Sequence, residues 1–246
     1  MRIALGIEYL GTNYHGWQRQ DGLSTVQSNV EQALSKVANS PITVVCAGRT
    51  DVGVHALSQV IHFDTEINRK LKSWVLGGNT YLPPDIRIQW AHDFSDNPEF
   101  HARFSATSRH YQYLIYNHSV QSAILHNRAL FYPAKLDADL MHAAAECLIG
   151  EQDFSSFRGA GCQSKTAMRN VTAITVKRDG HLIIIDIHAN AFLLHMVRNI
   201  IGVLLEVGTE KRAPTWVKEV LFGRDRNLAG VTAPACGLYL VNVKYS

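Results

Sequence analysis

Asp51 stands in the stretch "AGRTDVGVHA", residues 47–56, between two β-rich runs, "ITVVC" and "SQVIHFDTE". Gly48 and Gly53 supply the turn chemistry that a tight connection between strands needs. Such a connection needs neither Arg49 nor Asp51 two residues on, with His55 close behind. A carboxylate gripped by tightly folded backbone can serve as a nucleophile or a base. The plainer reading is an Asp that hydrogen-bonds its own turn, the commonest use of Asp between strands.

Three more stretches are polar in apolar surroundings. "FHARFSATSRHYQY" interleaves basic and aromatic residues, and strand alternation puts Arg109, Tyr111 and Tyr113 on one face. Such a face can stack bases and hold phosphates, or it can be the charged wet side of an amphipathic strand. "RGAGCQSKTAMRN" is a basic, glycine-containing loop, suited to RNA or to being a solvated connection. Arg198 lies inside the apolar run "FLLHMVRNIIG", where an arginine is rarely buried without a carboxylate. Glu206, eight residues on, offers only a surface pair; Asp51 is another candidate partner, from the other half of the chain. Together these residues suggest a cleft between two halves, with one paired carboxylate among base-stacking groups.

The elements that must position them follow a repeated order. "RIALGIEY" alternates as a strand, Ser24 opens an S-x-x-Q capping box onto Gln27, and "TVQSNVEQALSKVA" has helical spacing. "ITVVCA" and "SQVIHFDT" read as strands, "NRKLKSWVLGGNTYL" as a helix stopped by Gly77, Gly78 and Pro83, and "IRIQWAHDF" as a strand. In the second half "RHYQYLIYN" is a strand and "DADLMHAAAECLIG" a helix closed by Gly150. "NVTAITVKRDGHLIIIDIHA" is a hairpin turning at Asp179-Gly180. "FLLHMVRNIIGVLLEV" is a helix, "TWVKEVLFG" a short extra one, and "GLYLVNVKY" the last strand. Each half thus reads β-α-β-β-α-β. The expected fold is α+β, with two ferredoxin-like halves, 1–105 and 106–246, joined by "DNPEFHARFSAT". A doubly wound α/β sheet fits less well, because both hairpin signals favour antiparallel pairing.

Composition sets the bounds. A chain of 246 residues, 46% hydrophobic and 18% charged, suits one large globular domain or two small ones. The longest apolar run, "AFLLHMVRNIIGVLLEVG", is interrupted by His195, Arg198 and Asn199, and falls short of the roughly 18 clean residues a membrane span needs. "MRIALGIEYLG" lacks a cleavage-site pattern, so no signal peptide is expected. Cys46, Cys147, Cys162 and Cys236 are scattered without a CxxC pair and read as reduced thiols, which points to the cytoplasm. There are 12 histidines but no HExxH and no Cys/His cluster, so no metal is expected. The net charge of +3 permits a nucleic-acid partner. Arg49, Arg69, Lys70, Lys72, Arg103, Arg109, Arg158, Lys165 and Arg169 gather at turns and element ends.

The stretches "YHGWQRQ", "TVQ", "AGRTDVGVHA", "FHARFSAT" followed by "RHYQY", "DFSSFR" and "NAFLLHMVRNIIG" run through nearly the whole chain. In these, and in their order, it resembles the bacterial tRNA pseudouridine synthase A (TruA) family. That resemblance implies two ferredoxin-like halves forming one extended, mostly antiparallel sheet, helices on one face and a central basic cleft. It implies a cytoplasmic homodimer that isomerises uridines 38, 39 and 40 in the anticodon stem-loop of tRNA, without metal or organic cofactor. Asp51 falls at the catalytic-aspartate position, Arg49 at the base-flipping position, Tyr111 at the active-site tyrosine and Arg198 at the arginine paired with the aspartate. Arg69, the segment Phe100, His101, Ala102, Arg103, Phe104, and the segment Gly161, Cys162, Gln163, Ser164, Lys165 fall at tRNA-contact positions. Val52 replaces the usual Ala after the aspartate, "HSVQSAILHN" (118–127) lacks basic residues often found there, and little chain follows "YLVNVKY", so no contribution from a longer tail is expected.

The implied reaction breaks the N1–C1′ bond, turns the uracil over and rejoins it through C5, with no redox change. Asp51 can attack C1′, or withdraw the C2′ proton to give a glycal. Two other classes compete. A non-catalytic RNA binder gains nothing from a carboxylate among phosphates. A metal-dependent phosphoryl-transfer enzyme lacks a second acidic ligand near a glycine-rich phosphate loop.

Overall fold

The computed structural model describes residues 1–245, which form two compact units: Met1–Thr107 with the chain from Tyr239 onward, and Ser108–Leu238. The architecture is α+β and the strand pairs are mostly antiparallel.

In the first unit β1 (Arg2–Tyr9) lies between β3 (His55–Asp64) and β4 (Ile86–Asp93), antiparallel to both. The two-residue β2 (Val45–Cys46) pairs with Ile61 and His62 of β3. Its brevity has a local cause. The Ile42 N–H donates to Ser35 Oγ (2.9 Å) and the Val44 N–H to Glu31 Oε1 (3.1 Å), so helix side chains take donors that a longer strand would use. Helix α1 (Val26–Ala38) buries Val26, Val30, Ala33, Leu34 and Val37, the stripe its spacing predicts. Its cap is Thr25, not Ser24: the Thr25 hydroxyl accepts the Ser28 N–H while Ser28 answers the Thr25 N–H. Gln27 is not free to close a box, since its side chain is bound to Glu31 and the Arg19 N–H.

Helix α2 (Leu71–Tyr81) runs through Gly77 and Gly78 instead of stopping there. A Cβ on Gly78 would stand 2.3 Å from Ile88 Cδ1, and one on Gly77 would be 3.1 Å from Val37 Cγ2. These glycines let α2 approach the sheet and α1 closely; the helix ends before Pro83, which cannot continue it.

In the second unit β5 (Ala106–Asn117) pairs with the short β6 (Leu130–Tyr132) and with β9 (Leu182–Ala189), β9 with β8 (Met168–Asp179), and β8 with β7 (Gly150–Asp153). The β8–β9 turn is centred on Gly180 (φ +57°) and His181, one residue later than its sequence suggests. Helices α3 (Ala138–Ala145), α4 (Met196–Gly208) and α5 (Trp216–Gly223) complete the unit, α4 burying Ile200, Ile201, Val203, Leu204 and Val207. The order of elements in the sequence puts the final strand, β10 (Leu238–Tyr245), at the close of the second half. Tyr239 and Leu240 instead pair in parallel with His55 and Ala56 of β3, which places that strand with the first unit.

Candidate active site

The Asp51 loop leaves β2 and enters β3 through a set of committed backbone bonds. Buried Gln59 of β3 spans the loop's mouth, its amide donating to the Gly48 carbonyl (2.6 Å). The Thr50 hydroxyl meets the Tyr9 phenol (2.7 Å), the Thr50 carbonyl accepts the Trp17 N–H (3.0 Å), and the Asp51 carbonyl accepts the Val54 N–H (3.2 Å). Gly53 adopts φ +78° to close the turn. Buried His55 accepts the Gly11 N–H at Nδ1 (2.9 Å), tying the loop's exit to the chain after β1. Gly16 of "YHGW" also has φ +78°, and a Cβ there would lie 2.9 Å from the Thr50 carbonyl oxygen. Asp51 is thus held by backbone packed from two sides, partly exposed, with Arg49 exposed beside it.

The segment 100–104 is a closed turn in the same unit. Phe100 and Ala102 are buried, while Arg103 and Phe104 are exposed, Phe104 by 75%. His101 Nδ1 accepts the N–H groups of Arg103 (3.1 Å) and Phe104 (3.2 Å), and its ring stacks on Phe104 at 4.4 Å. The Arg103 guanidinium lies 5.6 Å from the Phe104 ring centroid. Burial pushes the Cys46 thiol up to about 11, and the charges of Arg49 and Arg103 both oppose it. The two arginines therefore act on one spot at the end of β2. Arg69 is exposed before α2, alongside Lys70 and Lys72.

In the second unit the hub is the segment 190–198. The Tyr111 ring, on β5 and nearly buried, meets Phe192 edge-on at 5.1 Å. Arg109 donates to the Asn190 carbonyl (2.8 Å), and Tyr113, on the same face, is a core residue bonded to the Pro234 carbonyl (2.8 Å). The Leu194 carbonyl accepts the Gly159 N–H (2.8 Å), and its N–H points at Cys162 Sγ (3.5 Å). Loop 161–165 is not merely solvated. Arg158 holds the carbonyls of Cys162 (2.8 Å) and Ser164 (2.7 Å), and Arg169 donates to Ser164 Oγ (2.5 Å). Burial alone would raise the Cys162 thiol. The Leu194 and Ser164 amides and the Arg158 guanidinium outweigh it, so the thiol sits below its ordinary value. Gly161, Gln163 and Lys165 face solvent. His195, left-handed at φ +59°, turns the chain into α4. Arg198 Nε donates to the Ala233 carbonyl (2.8 Å). Burial raises the Tyr113 phenol and the Cys236 thiol, and the Arg198 charge opposes both shifts, which puts its guanidinium near them.

Among the described residues no group of three or more His, Cys, Asp or Glu side chains is arranged to hold a metal ion, and no helix is long and apolar enough to cross a membrane. Residues 6–105 and 144–246 match the family model described as tRNA pseudouridine synthase. The chain belongs to that family. Over its full length it is 56% identical to tRNA pseudouridine synthase A of Aeromonas salmonicida (strain A449), covering 90% of that protein. It is 54% identical to the proteins of the same name from Vibrio campbellii (strain ATCC BAA-1116) and Legionella pneumophila (strain Corby), covering 92% and 93% of them. The chain is thus a tRNA pseudouridine synthase, an isomerase whose substrate is uridine in tRNA.

Several residues that hold the segments carrying the candidate residues have no role assigned from the sequence. Gln59 and Asn199 are polar residues in apolar runs, a pattern that signals a buried hydrogen-bond role. Asn199, fully buried, donates to the Phe157 carbonyl (2.8 Å) and accepts from Arg226 (3.1 Å) and Thr232 (2.6 Å), binding "DFSSF" and the 226–232 segment to α4. Gly16 shows no such signal. Gly16→Ala is expected to push the Thr50–Asp51 backbone and, with Asp51 read as the catalytic group, to lower pseudouridine formation by on the order of tenfold to a hundredfold. Unchanged turnover in that variant would show that the Gly16 turn does not set the loop.

Proposed function

We propose that this synthase isomerises uridines 38, 39 and 40 in the anticodon stem-loop, with Asp51 as the group that opens the N1–C1′ bond of a flipped-out uridine. The carboxylate either attacks C1′, expelling uracil through N1 and itself leaving C1′ when C5 bonds there, or removes the C2′ proton to give a glycal and returns it to C2′ when C5 bonds to C1′; in both routes the freed uracil turns, the C5 proton is lost and N1 takes one up. Tyr111 stacks on the flipped base near C5, and Arg198 is the cationic partner of Asp51. Arg49 fills the vacated stack or holds the displaced phosphate, since flipping costs a few kcal/mol of unstacking. Arg69, the segment 100–104 and the segment 161–165 hold the tRNA. No metal or organic cofactor takes part, and the enzyme works as a cytoplasmic homodimer.

The Asp51 loop supports this reading most. Its backbone is bonded at Gly48, Thr50 and Asp51, which fits a preorganised carboxylate better than a solvated turn. The exposed Arg49, Arg103 and Phe104 of the same unit suit phosphate and base contact. Purified protein incubated with unmodified tRNA is expected to form pseudouridine at 38–40, equally with and without EDTA, as mapped along the tRNA. Product only elsewhere overturns the site assignment; loss of product with EDTA overturns the metal-free reaction.

A further inference from the structure

We infer that His62 is a positioning residue for tRNA binding: its Nδ1 accepts the buried Ala102 N–H and so sets the turn that presents Arg103 and Phe104. This rests on the reading of segment 100–104 as a tRNA contact.

His62 lies mid-strand in β3, opposite Ala4 of β1 and Val45 of β2. Its neighbour Phe63 packs on Trp74 of α2 (5.1 Å), so alternation sends the imidazole to the sheet face away from that helix. There it is 4% exposed and covered by the segment itself: Phe100 meets it edge-on at 6.1 Å and His101 at 4.7 Å. The Ala102 N–H donates to Nδ1 at 3.1 Å, and Ala102 has no exposed surface. A buried amide without an acceptor is costly, so an apolar side chain at 62 would release the turn.

Two further anchors define what His62 adds. Arg2 donates to the carbonyls of Pro98 and Phe100 (2.9 Å for the latter) while paired with Asp64 (2.8 Å). The Tyr245 hydroxyl donates to the Ala102 carbonyl (2.7 Å). Both grip carbonyl groups, whereas His62 takes the Ala102 N–H, at the residue next to Arg103. Burial, His101 and Arg2 push the imidazole down to about 4, against Asp64, so at neutral pH one ring nitrogen stays an acceptor.

The test uses the full chain and unmodified tRNA, with KM, kcat and thermal melting measured for His62→Phe, His62→Asn, His62→Gln, Arg103→Ala and the His62→Phe/Arg103→Ala double variant. Asn places an acceptor oxygen close to the Nδ1 position; Gln places it near Nε2, and Phe has none. His62→Phe and His62→Gln should raise KM by about tenfold with kcat within about twofold, while His62→Asn stays within about twofold of the parent in both. Arg103→Ala should raise KM and flatten its dependence on salt, because one phosphate contact is gone. In that background His62→Phe should cost less than in the parent, since one of the contacts it disturbs is already gone. Should His62→Phe not fold, the Asn and Gln pair decides alone. His62→Asn as impaired as Gln, or His62 and Arg103 effects that simply multiply, would overturn the inference. Arg103→Ala impaired while both His62→Phe and His62→Gln bind normally overturns it alone. Arg103→Ala with unchanged KM and salt slope overturns the RNA-contact reading, and the inference with it.

Discussion

Asp51→Asn is expected to abolish detectable pseudouridine formation while leaving tRNA affinity within about tenfold, or roughly 1.4 kcal/mol. The substitution keeps size and shape but removes the charge and the carboxylate proposed to act as nucleophile or base. Backbone groups and the side chains of Thr50, Gln59 and His55 bond within and around the loop, and Asn fills the space of Asp, so the loop should persist without the charge. Affinity should persist for the same reason, because Arg49, Arg103 and Phe104 stay in place. The measurement is single-turnover product formation beside direct tRNA binding. Appreciable turnover by the variant would remove Asp51 from the chemistry and restore the reading of an Asp that serves its own turn.

The second large effect is expected at Arg198. Arg198 is the proposed cationic partner of Asp51, and removing one member of such a pair leaves the other charge uncompensated, at a cost of about 3–5 kcal/mol where the pair is buried. Lys keeps the charge but not the planar fork, and it cannot donate as Nε does to the Ala233 carbonyl. Arg198→Lys is therefore expected to lower turnover by about a hundredfold or more, close to 2.7 kcal/mol. The fold should hold, since Ile200, Ile201, Val203 and Leu204 still bury the inner stripe of α4. Combining it with Asp51→Asn should cost no more than Asp51→Asn alone, as expected of groups that act as a unit. Near-parental turnover in Arg198→Lys, or additive losses, would refute the pairing of the two residues.

Much of this protein follows from sequence because the relevant forces are local. The stripe of α1 is visible in Val26, Val30, Ala33, Leu34 and Val37, and the turns at Gly53 and Gly180 need positive φ that glycine adopts freely. The site loop is legible for the same reason: Gly48, Arg49, Asp51 and Gly53 sit between two β-rich runs, and the structure places them between β2 and β3. The motif resemblance runs along the chain and needs no contacts to be seen.

What only the tertiary structure decided depends on partners far apart in the chain. Gly77 and Gly78 look like helix stops until Val37 and Ile88 are found where their side chains would be. "ITVVCA" looks like a strand until Ser35 and Glu31 take its N–H groups. "GLYLVNVKY" has strand character on its own, but its parallel pairing with β3, across about 180 residues, places it with the first unit. Segment 100–104 reads as basic and aromatic, yet its shape is set by Arg2, His62 and Tyr245, residues 40 to 143 positions away. Periodicity reports which face of an element is apolar. It carries no record of which distant donor meets which buried acceptor, and in this protein those bonds shape the segments that carry the candidate residues.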